Sequence, residues 1–220
     1  VAGDILLLGG VEDPEKHSLL RREDVDTSVG SMLAASEKRL WVGALLGVLS
    51  APLFLVGTRD LVRGLPADGR GRTAAPVIGA LLTTAHVLSP FMHGSFGPMG
   101  IAYRRAQEAE NSGADQATVD ALVGLGNRIQ KGLTVPYAVY FTALTGASAI
   151  MTTGIARGRT TFPRWTAAVL PPIWPVIGAS AATGNPRAKR TRAQVLKGAG
   201  MSLGLAASFL TSALVRRREN

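Results

Sequence analysis

The chain alternates between long apolar stretches that hold no Asp, Glu, Lys or Arg and short segments into which the charges crowd. Five charge-free stretches stand out: Leu40 to Thr58, Thr73 to Tyr103, Gly132 to Ala156, Trp165 to Pro186 and Gly198 to Val215. Each is close to the ~20 residues a helix needs to cross a ~30 Å hydrocarbon core. A helix at the surface of a soluble core needs only an apolar stripe and carries charge on its other face. None of these stretches has a charged face. The pattern predicts an all-α, polytopic transmembrane helical bundle.

The start of the chain is a special case. The apolar run from Ile5 to Val11 follows Asp4 directly and is too short to span a bilayer. No basic region precedes it and no small-residue cleavage site follows, so it does not resemble a signal peptide. It reads as the second half of a truncated first span, the plainer alternative being a frayed apolar terminus. The expected organisation is one integral membrane domain over residues 1–220. It has a partial span at 1–11 and five complete spans at 41–58, 74–100, 133–155, 165–184 and 198–215.

Local signals refine the spans. Residues 12–39 are polar, and the part from Thr27 to Arg39 fits a helix capped by Asp26 or Ser28. Trp41 suits the headgroup belt at the entrance of the next span. Gly43 and Gly47, Gly178 and Ala182, and Gly200 and Gly204 are small residues four apart, a spacing that allows close helix approach. The stretch from Thr73 to Tyr103 is too long for one straight crossing and holds Pro90, Gly94, Gly97, Pro98 and Gly100. It is expected to be regular from about Ala75 to Ser89 and kinked or irregular through Gly100. Asn111 to Asp115 reads as a turn, and Ala117 to Lys131 as an amphipathic helix with Val119, Leu122, Val123 and Ile129 on one side. The second half of the fourth span is rich in Thr, Ser, Ala and Gly, which favours helix contact over lipid contact. Pro171, Pro172 and Pro175 admit either a broken, transporter-like helix or an ordinary kinked span. The frequency of proline in membrane helices favours the second.

Composition adds constraints. Hydrophobic residues make up 46% of the chain and charged ones only 18%, against about a quarter in soluble domains. Cysteine is absent, which excludes disulfides, thiolate chemistry and Cys-ligated metals. The net charge of +9 is carried mainly by arginine. The basic residues flank apolar spans, where they anchor helices at anionic headgroups, and this reading is preferred to nucleic-acid binding. Rich Arg, Ala and Gly usage points to a GC-rich bacterial genome, and hence to the bacterial inner membrane. No Walker loop, His-Glu-x-x-His, Gly-x-Ser-x-Gly or Asp-rich metal box is present.

Three ionisable residues fall within apolar segments: Asp4, His86 and His93. Such residues are costly in lipid and are candidate ligand- or proton-binding groups. On an ideal helix the two histidines share a face about 10 Å apart, too far to bind one zinc ion unless the chain breaks at Pro90. Each imidazole could instead simply hydrogen-bond a neighbouring helix, and haem or metal ligation is a third option. His86 is expected to face the interior, with Thr83, Thr84 and Ser89 forming a polar patch around it. Asp4 could pair with His86 or with an Arg at a helix end.

Three segments together resemble a known family. They are Ala2-Gly3-Asp4-Ile5-Leu6-Leu7-Leu8-Gly9, the Trp41–Gly57 span, and His86 followed by Phe91-Met92-His93-Gly94-Ser95-Phe96. The resemblance is to uncharacterised bacterial multi-pass membrane proteins that share a domain of unknown function. In that family a Gly-Asp first helix precedes further hydrophobic helices, one of which holds a His. This chain departs from it in lacking the start of the first helix. The resemblance implies no catalytic residues.

The function expected from these features is that of a non-enzymatic membrane protein: a small transporter, a binder or a structural subunit. The alternative is a membrane-embedded enzyme or redox protein that uses its intramembrane histidines. No catalytic residue, metal site or cofactor is indicated. The expected partners are the lipid bilayer and, through the small-residue faces, a second copy or another membrane protein.

Overall fold

The structure, a computed structural model, describes residues 1–10, 15–26, 29–66, 69–183 and 199–217. Among these residues every regular element is helical. The α-helices are α1 (Ala2–Leu8), α2 (Gly30–Leu33), α3 (Glu37–Leu49), α4 (Ala51–Arg63), α5 (Gly69–Asn111), α6 (Gln116–Gly132), α7 (Thr134–Ala156), α8 (Ile173–Thr183) and α9 (Gly200–Arg217). Single 3-10 turns lie at Ser18–Arg21 and Arg164–Ala168.

Among the described residues, three helical stretches are long and apolar enough to cross a membrane: Glu37–Arg63, Arg72–Asn111 and Gln116–Ala156. The described residues therefore do not support five complete spans. The fifth stretch breaks at Pro171 and Pro172, where two missing amide donors stop a helix, leaving the 11-residue α8. At ~1.5 Å per residue α8 is about half as long as the hydrocarbon core. The ordinary kinked span expected here is instead a broken one. The sixth stretch is described only from Ala199, and α9 carries Arg216 and Arg217 in its last turn. Val11, Thr27, Ser28 and the 184–198 connection lie outside the described residues, so the Ser28 cap and the C-terminal end of the 1–11 run do too.

Two further expectations change. The long middle stretch is one helix of 43 residues despite Pro76, Pro90 and Pro98 within it, with no irregular passage before Gly100. The Thr27–Arg39 helix shrinks to α2, and a new helix starts at Glu37. Other signals hold. Ser50 interrupts the second span and Pro52 sits in the first turn of α4, where its missing N–H is harmless. Gly113, with φ of 74°, turns the chain between α5 and α6, and Asp115 caps α6 by accepting from Thr118 N at 2.9 Å.

Contacts group the chain into two units. The first comprises Val1–Leu49, Pro90–Tyr137 and Thr183–Ala199. Its core gathers Leu7, Met32, Leu40, Ala44, Met99 and Tyr103. The Tyr103 hydroxyl donates to Asn127 Oδ1 at 2.6 Å, and its ring fills the space a side chain would need at Gly126. Helix α1 lies on α3. A methyl group at Gly3 would lie 2.8 Å from the Gly43 carbonyl oxygen, so the Gly43/Gly47 pair serves the close approach its spacing predicts. The Arg39 guanidinium donates to the carbonyls of Leu6 and Ile5, both at 2.8 Å, and so caps the C-terminal end of α1.

The second unit comprises Ser50–Ser89, Ala138–Ala182 and Gly200–Asn220. Here Gly204 lets α9 approach the backbone of Pro175 and Val176 so closely that any Cβ would collide with it. The break before α8 leaves backbone groups without helical partners, and serines supply them. Ile173 N donates to Ser148 Oγ of α7 at 3.0 Å, and Ser208 Oγ of α9 donates to the Leu170 carbonyl. Both serines are fully buried, so the freed backbone groups are satisfied out of contact with solvent. The Arg216 guanidinium donates to Asp60 Oδ1 at 2.6 Å and to the Asp60 carbonyl at 2.8 Å, tying the end of α9 to α4.

Outward-facing apolar side chains run along several helices. Leu45, Leu49, Leu53 and Val56 are 58–71% exposed on α3 and α4, as are Val87 and Phe91 on α5 at 59% and 56% and Val135 on α7 at 70%.

Candidate functional site

Asp4 and His93 come together in the first unit. Asp4 is buried on α1 with 6% exposure, and its Oδ1 lies 3.3 Å from Nε2 of His93 on α5. Its Oδ2 lies 3.1 Å from the amino group of Val1. Local sequence explains the placement. Gly3 lets α1 settle onto Gly43 and Gly47, which carries the next residue, Asp4, inward. Gly47 has no side chain, and the His93 ring occupies that space with Nδ1 and Cγ against the glycine. His93 Nδ1 is buried without a hydrogen-bond partner. The Phe96 ring meets the His93 ring edge-on, at 6.3 Å between centroids. The pairings of Asp4 with His86 or a helix-end Arg expected from sequence are thus replaced by one with His93.

A cavity of about 340 Å³ lies on Phe96, walled by Leu8, Met32, Phe96, Met99, Leu133 and Tyr137, with Gln130 and Thr134 as polar members; neither Asp4 nor His93 is among these lining residues. Phe96 is both a wall of the cavity and a neighbour of His93. Tyr137 lies within electrostatic reach of Asp4. The volume falls at the lower end of the range for small-molecule sites. The acid and imidazole can share a proton, and the mostly apolar space behind Phe96 can hold one small ligand. They include no activated nucleophile.

His86 belongs to the second unit and has different surroundings. It is buried, with 1% exposure, and the Phe54 ring stacks on it at 5.3 Å and 18°. Phe209 and Tyr140 meet it edge-on at 5.9 and 6.5 Å. Neither imidazole nitrogen has a hydrogen-bond partner. The expected polar patch is absent: Thr83 and Thr84 are exposed. Burial of His86 follows the expectation, but aromatic rings surround it. Sequence reasoning missed Phe54, Tyr140 and Phe209 because nothing in their spacing links three residues on different helices. Among the described residues, no cluster of three or more His, Asp or Glu side chains could hold a metal ion.

The chain belongs to DUF6796, a family of unknown function, whose sequence model matches residues 1–219. No curated protein and no solved structure matches the chain.

Proposed function

We propose that this DUF6796 member is a multi-pass integral membrane protein of the bacterial inner membrane, organised as one membrane domain. It acts as a non-enzymatic binder or small transporter whose working centre is the Asp4–His93 pair and the cavity behind Phe96. The observation that carries this reading is a buried acid–imidazole contact on helices whose outward faces are apolar. Exposed apolar surface on that scale is unfavourable in water and favourable in lipid. An ionisable pair kept inside such helices is expensive unless it has a use. His86, enclosed by rings, stands outside the centre. A second copy or another membrane protein would find most small-residue faces occupied, since Gly43, Gly47 and Gly204 serve internal approaches; Gly178 faces outward.

Two measurements test this. The protein should sediment with membranes and be released only by detergent; recovery in a detergent-free supernatant overturns the membrane reading. In reconstituted protein, infrared titration should reveal a carboxyl band that vanishes in Asp4→Asn. Its midpoint should move in His93→Gln and stay put in His86→Phe. An Asp4 band indifferent to His93→Gln overturns the assigned centre.

A further inference from the structure

The second unit carries a groove of about 750 Å³ between the 163–175 segment and α9. Trp165, Val169, Trp174, Ala207 and Leu214 form its apolar walls. Its only side-chain hydroxyl, on Thr211, donates to the Ala207 carbonyl of its own helix at 2.8 Å, and the Trp174 indole N–H donates to Thr152 Oγ1 at 2.9 Å. Trp165 and Trp174 are 64% and 44% exposed. Exposed tryptophan at the lip of an apolar groove is the arrangement expected where hydrocarbon gives way to headgroups.

Among the described residues, charge flanks the lining at Arg164 and at Arg216 and Arg217. Arg216 is engaged by Asp60, near the end of α4. One turn further on, the Gly64 carbonyl accepts from Thr161 and the glycine packs against the Phe162 ring. The last turn of α4 therefore anchors both the segment leading into Arg164 and the end of α9 that bears Arg217. Arg164 and Arg217 are exposed, and neither has an acidic partner among the described residues. Pro163 and Trp165, which flank Arg164, line the groove, as do Leu214 and Val215, which lead up to Arg217.

We infer that this groove is a phospholipid site selective for anionic headgroups: an acyl chain lies along the apolar walls, and Arg164 and Arg217 hold the phosphate and its extra negative charge. The inference rests on the membrane reading above. A neutral, zwitterionic lipid satisfies the walls equally well, so the arginines alone confer the preference. Juxtamembrane arginines favour anionic lipid by about fivefold each.

The test is native mass spectrometry of the full-length protein released from nanodiscs holding equal phosphatidylglycerol and phosphatidylcholine. The wild-type chain should retain one phosphatidylglycerol in preference to phosphatidylcholine. Arg164→Gln with Arg217→Gln should abolish the preference while leaving lipid retention and the melting temperature intact. Ala207→Phe, which fills the groove, should lose retention of both lipids. Arg216→Gln should lower the melting temperature without altering the preference. Equal retention of the two lipids by the wild type, or a preference that survives the double substitution, overturns the inference and leaves membrane insertion standing. A protein that never enters the nanodiscs overturns both.

Discussion

The imidazole of His93 fills the space beside Gly47 that any side chain there would claim. Alanine at position 47 would place its methyl group 2.3 Å from Cγ and Nδ1 of the ring. Helix propensity alone favours Gly47→Ala by about 1 kcal/mol, but the collision opposes it with an overpacking cost of about 1–3 kcal/mol. The expected outcome is a lower melting temperature in detergent, together with loss of the Asp4–His93 contact. His93→Ala in the same chain should restore stability. Gly94→Ala is the control, since its methyl group would meet only Val48, at 3.5 Å. A Gly47→Ala protein as stable as the wild type, with an unmoved Asp4 titration, would show that the ring sits elsewhere.

His86 is predicted to behave in the opposite way to a working residue. Its two nitrogens are buried among Phe54, Tyr140 and Phe209 with no hydrogen-bond partner. A buried unsatisfied polar group costs about 1–3 kcal/mol. His86→Phe keeps a ring in the stack and removes that cost, so thermal unfolding should show a rise in melting temperature. A marked fall would mean that the imidazole has a partner the aromatic surroundings do not supply.

Outside the spans, acid should weaken one attachment. Arg22 donates to Asp24 at 2.9 Å and to Asp120 at 2.8 Å. The hydrogen bond from Arg22 holds the Asp24 carboxyl below its ordinary value of 3.8. A depressed carboxyl contributes stability that is complete above its unfolded value and fades as pH falls through its folded one. Asp24 is half exposed, so solvent screening limits the contribution to at most about 1 kcal/mol. The stability gap between wild type and Asp24→Asn should be constant above roughly pH 5 and close below about pH 4. A gap that widens in acid would contradict the assignment.

Much of the architecture was legible because long apolar helices leave a blunt signature in sequence. Length and absence of charge sufficed to find Leu40–Thr58, Thr73–Tyr103 and Gly132–Ala156, and each falls within one of the three long helical stretches. Where the outcome depended on how neighbours satisfy a backbone, the sequence was ambiguous. Pro90 and Pro98 leave α5 continuous, whereas Pro171 and Pro172 break the chain. The difference lies partly in the hydroxyls of Ser148 and Ser208, which satisfy the freed groups and sit on other helices. Asp4, His86 and His93 were identifiable as isolated ionisable residues in apolar surroundings. Their partners were not, because which face of α5 meets α1 depends on Gly3, Gly43 and Gly47 acting together across distant segments. The glycine spacing announced close approach without saying which helix would come.

The docking of α1 on α3 and α5 has a consequence for how that short helix can respond. Gly3 fits against Gly43 at one depth, Arg39 donates to the carbonyls of Ile5 and Leu6, and Asp4 meets His93 across the helices. A slide by one residue would forfeit all three at once, so intermediate registers offer no resting place. Helix α1 is therefore keyed to a single notch and can be seated or unseated but not slid.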